Sequence, residues 1–250
     1  MTAPATRRLA GRTALVTGAS RGIGLATARA LGAEGAHVIL LARTRGGLEE
    51  ADDEVRAAGG AATLVELDLM DGERLDALGP SLYQRFPHLD ILVANAAILG
   101  PMSPLGHISA ADWDKVIATN LTANWRLIRS LDPLLRKAPA ARGVFLSSGA
   151  ARSCRAYWGP YAVSKAALEA LVKVYAAEVA STPVRVNLLD PGATRTAMRA
   201  KAMPGEDPAT LPPAEAVAPV IVAMALPEYV DNGMVVRASE HPAFDRSLHR

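Results

Sequence analysis

Tyr161 and Lys165, in the stretch PYAVSK, are four residues apart. On a helix, positions i and i+4 share a face, so this spacing sets a phenol beside an ammonium group. A free tyrosine loses its proton at about pH 10, and a neighbouring cation favours the phenolate. A phenol tuned in this way can exchange a proton with a substrate oxygen. The polar run FLSSGA lies upstream, and a hydroxyl from it could hold the same oxygen. The plainer reading of the pair is an amphipathic helix with one exposed lysine.

A second group of residues points to phosphate. TGASRGIG, Thr17 to Gly24, holds Gly18, Gly22 and Gly24 between an apolar run and a helical pattern. Glycines at a strand-to-helix turn let the backbone bend sharply and approach a pyrophosphate. The helix start adds unpaired N–H groups and a partial positive charge. Tight turns also use glycine for steric reasons alone.

Both groups need a frame, and the chain supplies one. TALVTG, HVILLA, ATLVELD, DILVAN, GVFLSS, VRVNLLD and GMVVRA read as strands. Helical patterns separate most of them: 22–35, 46–59, 72–86 with a break expected at Pro80, a long helix from near Ser109 or Asp112, 160–181 opened by Pro160, and 213–226. Continuous apolar strands alternating with helices imply a parallel sheet covered on both faces. Right-handed crossovers make it a Rossmann-like, doubly wound, three-layer α/β fold, read here as a single domain over residues 1–250. Ligands in such folds sit at the carboxyl ends of the strands. Ser20, Arg43, Asp68, Asn95, Ser148 and Pro191 fall there.

Composition narrows the class. The 250 residues are half hydrophobic and 4% aromatic, with 27 basic against 25 acidic side chains. A net charge of +2 is too balanced to suggest nucleic-acid binding. The longest apolar run, AVAPVIVAMAL, falls short of the ~20 residues of a membrane span. The two N-terminal arginines are followed by no apolar signal segment. One cysteine, Cys154, allows no internal disulfide, and no metal site is expected. A cytoplasmic protein is the expectation.

The glycine spacing, three residues then one, together with Tyr161-x-x-x-Lys165, resembles the short-chain dehydrogenase/reductase family, the short single-domain type, from about residue 12 to about residue 196. The resemblance implies an oxidoreductase that moves hydride between a nicotinamide and a carbonyl or alcohol, a carbonyl reductase or its reverse, with Tyr161 as acid/base. Lys165 then also bonds the nicotinamide ribose. The family places its serine thirteen residues before the tyrosine, which selects Ser148 over Ser147. Asn120, in ATNLTA, matches the asparagine that helps place a water beside the lysine. The expected catalytic residues are therefore Asn120, Ser148, Tyr161 and Lys165.

The cofactor residues implied are Gly18, Ser20, Arg21, Gly22, Ile23 and Gly24 in the loop, and Asp68 with Leu69 near the adenine. Asn95 and Ala96 belong to VANAAI, and Tyr161 and Lys165 join them. Pro191, Gly192, Thr194 and Thr196 would lie under the nicotinamide, the Thr194 backbone and the Thr196 hydroxyl holding its carboxamide. Asp68 has a second reading as a helix N-cap. Ala97 stands where the family has glycine, so the backbone there is expected to sit differently. Ala42 occupies the position where an NAD-binding strand ends in a carboxylate, and Arg43 follows it. A guanidinium pairs with a 2′-phosphate, and Arg21 offers a second. Both favour NADP(H) over NAD(H); the alternative is two solvated surface arginines.

Substrate identity is expected in 149–160 and in the loop after Thr196; Arg152 could read an acidic substrate and Trp158 could wall an apolar pocket, with surface exposure or oligomer packing as the alternative for each. A lid is expected over about 196–213. The wording of that region resembles bacterial oxidoreductases of unassigned substrate. The family also implies a homodimer or homotetramer through the helices bearing Asn120 and Tyr161. Two other functions compete: a non-catalytic NADP(H)-binding regulatory protein, expected to have lost Tyr161 or Lys165, and a sugar-nucleotide epimerase or dehydratase, for which 250 residues leave little room.

Overall fold

The computed structural model describes residues 7–249. Seven strands form one sheet: β1 (Thr13–Thr17), β2 (His37–Ala42), β3 (Ala61–Glu66), β4 (Ile91–Ala94), β5 (Arg142–Leu146), β6 (Arg185–Asp190) and β7 (Val235–Arg237). Their order is β3-β2-β1-β4-β5-β6-β7 and every pairing is parallel. The order reverses between β1 and β4, so loops leaving those two strands diverge and open a crevice at their carboxyl ends.

Helices cover both faces. Here α1 (Gly22–Ala33), α2 (Arg45–Ala57) and α9 (Ala218–Ala225) pack on one side. On the other side lie α3 (Gly72–Tyr83), α5 (Ala123–Lys137) and α7 (Gly159–Glu178). Side chains alternate between the two cores along each strand: Ala14 and Val16 face the first, Leu15 the second. The fold is therefore Rossmann-like and doubly wound, as the apolar runs imply. α4 (Ala110–Ile117) leads into α5, and short helices α6 (Ala150–Ser153) and α8 (Ala197–Ala202) lie in the loops. The sequence patterns did not point to the last two.

Two helices depart from expectation. Pro80 does not break α3, which runs on to Tyr83. A proline removes the N–H that would bond the carbonyl four residues back. Here that carbonyl, of Asp76, accepts instead from the Ser130 hydroxyl of α5 at 3.2 Å. The long helix from Ala110 is interrupted by a π-turn over Ala118–Thr122, between α4 and α5. A cavity of about 490 Å³ lies between α3 and α5, lined by Pro80, Tyr83, Pro133 and Leu134 among others. It sits toward the amino ends of the strands, away from the crevice.

Candidate active site

The glycine loop joins β1 to α1. Gly18 and Gly22 have φ of +65° and +57°, the left-handed region that glycine enters without steric cost. Gly24 is glycine for a different reason. A Cβ there would lie 2.2 Å from the Gly18 carbonyl oxygen and 2.6 Å from Asn95 Nδ2. Asn95 braces this close approach: its Nδ2 donates to the carbonyls of Thr17 (3.0 Å) and Gly18 (3.4 Å). The Thr17 hydroxyl accepts from the backbone N–H groups of Asn95 and Ala96, both at 3.0 Å. Arg21, at the N-cap of α1, is extended and gives no side-chain cap, so the first N–H groups of the helix keep their donors for a ligand. Ser20 and Ile23 are half-buried beside it.

The expected adenine end is open. Arg43, directly after β2, and Arg21 are both exposed. Neither is in an ion pair among the described residues, whereas nearby Arg45 is held by Glu49 at 2.8 Å. Ala42 offers no carboxylate. Asp68 follows β3, and its Oδ1 accepts from the Met70 N–H at 2.9 Å. Asp71, not Asp68, caps α3 by accepting from Arg74 N–H at 3.1 Å. The N-cap reading of Asp68 is therefore wrong: the helix starts three residues later. Leu69 is buried between them.

At the other end of the crevice, α7 opens with Pro160, and its first turn carries Tyr161, 8% exposed. Lys165 is 2% exposed, and its Nζ donates to the Leu146 carbonyl, at the end of β5, at 2.6 Å. The ammonium lies 5.9 Å from the Tyr161 ring centre. Ser148 is half-buried and turned to the phenol. Ser147 is buried and donates to Glu169 at 2.6 Å, so the serine beside Tyr161 is Ser148.

The electrostatics differ from what spacing alone implies. Burial raises the Tyr161 pKa above 10; the Ser148 hydrogen bond opposes this and Asp190 adds to it. Burial also brings the Lys165 amine down from 10.5 to about 8. The i,i+4 spacing says that the two side chains share a face, but not that this face is the buried one.

Asn120 lies within the π-turn and is fully buried. Its amide pairs with both backbone groups of Ile98, at 2.9 Å each, and donates to Ser164 Oγ at 3.0 Å. Ser164 in turn donates to the Tyr161 carbonyl at 2.8 Å. The Asn120 carbonyl accepts from Asn124 Nδ2 at 2.8 Å. Its side chain is thus a strut between the loop after β4 and α7. Ala97 needs no glycine conformation: among the described residues only Cys154 and Tyr157 are non-glycines with positive φ.

After β6, Pro191 leads to Gly192, at φ +72°. The buried Thr194 hydroxyl turns back toward the Pro191 carbonyl at 3.3 Å. Thr196 caps α8, accepting from Arg199 N–H at 3.2 Å. Arg152 is not free to read a substrate, because Glu169 and Asp190 hold it. Trp158 packs near Tyr161, ring centres 6.1 Å apart. With Leu99, Met102, Met198 and Ala202 it forms one apolar cluster around the phenol. Leu99 and Met102 were not foreseen; the signal was an apolar run, AAILGPM, directly after a strand end. Glu169 was also missed, although it continues the spacing of Tyr161 and Lys165 by four more residues.

The family model described as short chain dehydrogenase matches residues 12–207. The uncharacterized oxidoreductase YciK of Escherichia coli K12 is 38% identical over 203 residues, 80% of each chain. Two solved structures each superpose with a TM-score of 0.90 at 36% identity, covering 94% of this chain and 99% of theirs. One is a short chain dehydrogenase from Shigella flexneri 2a complexed with NADP. The other, from Escherichia coli CFT073, is complexed with NADPH.

Proposed function

The chain belongs to the short-chain dehydrogenase family, and on that premise we propose that it is an NADP(H)-dependent oxidoreductase acting on a carbonyl or alcohol, with Tyr161 as the proton-transfer residue. One observation carries this reading: a buried phenol, a buried amine and a hydroxyl, from Tyr161, Lys165 and Ser148, converge at the strand ends beside the glycine loop. The residues fit the cofactor. Gly24 leaves no side chain between loop and helix, the start of α1 is uncapped, and Arg21 and Arg43 are exposed cations with no ion pair among the described residues, placed where a 2′-phosphate would sit.

When bound, the nicotinamide supplies or accepts the hydride. The side chains do the rest. Ser148 holds the substrate oxygen by its hydroxyl, and Tyr161 gives that oxygen its proton. Burial keeps the phenol protonated at neutral pH, the form needed to reduce a carbonyl. Lys165, fixed at the Leu146 carbonyl, presents its charge to the cofactor ribose and to the phenolate that forms. Asn120 acts by holding α7 in place. The apolar cluster of Leu99, Met102, Trp158 and Met198 favours an uncharged, largely apolar substrate, since Arg152 and Arg199 are both paired to carboxylates. Residues about 196–213, anchored by α8, form the lid over it.

No helix among the described residues is long and apolar enough to cross a membrane. Exposed Trp125 on α5 and Val163 and Val174 on α7 support a homodimer or homotetramer through those helices.

Parallel fluorescence titrations with NADPH and NADH test the cofactor, using the wild type and Arg43→Asp. Wild type should prefer NADPH, and the variant should lose about tenfold or more in NADPH affinity with little change for NADH, as expected for one charge-assisted contact. Equal effects on both would remove Arg43 from the site. A carbonyl panel followed by NADPH absorbance then tests turnover.

A further inference from the structure

Arg152 lies in α6, four residues after Ser148. Its Nη1 donates to Glu169 Oε1 at 2.7 Å, and its Nη2 donates to Asp190 Oδ2. Each carboxylate has a further partner. Glu169 accepts from the Ser147 hydroxyl at 2.6 Å. The other oxygen of Asp190 accepts from the Gly192 N–H at 3.1 Å.

This arrangement differs from the local arginine pairs of the protein and shares its burial and long range with Arg12–Asp90, at the start of β1. Arg45–Glu49, Arg56–Asp52 and Arg136–Asp132 are one helical turn apart and involve exposed arginines. Pairs of that kind contribute little. Glu169 and Asp190 are only 10% and 9% exposed at their side chains, and they lie 17 and 38 residues from Arg152. Two carboxylates so deeply buried need a shared cation. The planar fork of arginine reaches both at once, which a lysine cannot do.

The segments joined are the three that carry the site. Arg152 follows Ser148 at the end of β5. Glu169 lies on α7, eight residues beyond Tyr161 and four beyond Lys165. Asp190 ends β6 and, through Gly192, holds the start of the Pro191–Thr196 segment. Among the described residues, the hydrogen bonds of the Arg152 side chain go to Glu169 and Asp190 and not to the phenol or the amine.

We propose that Arg152 is a positioning residue: by bridging Glu169 and Asp190 it holds the Pro191–Gly192 segment, the nicotinamide end of the cofactor crevice, in register with Ser148 and the Tyr161 helix. The inference rests on the NADP(H) reading above. It assigns Arg152 to the architecture of the cofactor site rather than to substrate recognition.

Two ligands separate the ends of the crevice. NADPH spans both, whereas adenosine 2′,5′-bisphosphate carries the adenine and 2′-phosphate without a nicotinamide. The first variant is Arg152→Met. The second, Arg152→Met with Glu169→Gln and Asp190→Asn, removes the bridge without leaving a buried charge unpaired, and so stays folded if the first does not. In the folded variant the bisphosphate should bind within about twofold of wild type, while NADPH binding weakens about tenfold, or about 1.4 kcal/mol. Hydrogen exchange at the Gly192 amide should quicken in the same variant. NADPH affinity unchanged in the triple variant, or both ligands weakened by the same factor, would overturn the assignment. Failure of the wild type to bind either ligand would instead overturn the cofactor reading, and this inference with it.

Discussion

Replacing Lys165 by methionine should make the protein more stable and inactive at once. The amine is 2% exposed, burial is the sole cause of its shift, and its pKa is brought from 10.5 to about 8. A depression of that size, at about 1.4 kcal/mol per pH unit, means that holding the ammonium charged in the folded protein costs about 3 kcal/mol. Methionine has similar length and no charge to desolvate. It forfeits the hydrogen bond to the Leu146 carbonyl, a loss of about 1 kcal/mol. The net gain is about 2 kcal/mol near neutral pH, or about 4–8 °C in Tm for a chain of this size. The pH dependence identifies the cause. Because the folded pKa lies below the unfolded one, the unfolded chain binds more protons between them, and the wild type gains stability as pH rises from about 8 to about 10.5. The variant has no such gain. Its advantage should be full below pH 8 and close to zero by about pH 9.5. Other groups titrate alike in both proteins and cancel in the difference. Urea unfolding followed by circular dichroism at the two pH values measures it. A variant less stable than wild type near neutral pH, or a difference that does not change with pH, would refute the reasoning.

Gly24→Ala should weaken NADPH binding and lower Tm. Alanine gains about 1 kcal/mol of helix propensity, but its Cβ, 2.2 Å from the Gly18 oxygen, forces the loop and helix apart by roughly 1 Å, with overpacking costs of ~1–3 kcal/mol. A melt at or above wild type with unchanged NADPH affinity would contradict this. Tyr161→Phe should abolish NADPH-dependent turnover on any carbonyl the wild type reduces while NADPH titrates normally; wild-type-like turnover would remove Tyr161 from proton transfer.

What the sequence revealed follows the range of the interactions involved. β2 has the ends expected, His37 and Ala42, because a run of apolar side chains bounded by Gly and Arg is a local property. The glycine loop was legible for the same reason: turn, strand and helix are adjacent in the chain. The third strand was expected to reach Asp68 but ends at Glu66; the Leu67 N–H still donates to the Ala42 carbonyl of β2 at 2.9 Å, and beyond it Leu69 is buried in the loop. The π-turn was not legible. It sits where Asn120 meets Ile98 and Ser164, partners 22 and 44 residues away. Arg152 read as a loop cation open to substrate because its partners are also distant in sequence. The burial that dominates at Tyr161 was not legible either, since spacing reports neighbours on a face and not how much water reaches it.

Those long-range contacts explain how α7 can serve a site that tolerates little misplacement. The helix is apolar around most of its circumference, with Leu168, Val172 and Ala176 in the core and Val163 and Val174 outside. Apolar packing is non-directional, and a helix with such a surface has no strong preferred rotation or axial shift from packing alone. Directional contacts supply both. In its second turn, Asn120 reaches Ser164, whose hydroxyl donates to the Tyr161 carbonyl. The next residue, Lys165, is held at the end of β5. One turn further on, Glu169 is tied to Ser147 and, through Arg152, to the end of β6. The anchors fall on two successive turns and lead to three different strands, β4, β5 and β6. Loss of one leaves the other two to hold the helix, so the protein should fold while the phenol drifts from Ser148. On this reasoning, substitutions at these anchors disturb cofactor geometry without unfolding the protein, and the buried polar residues of α7 serve to set its position.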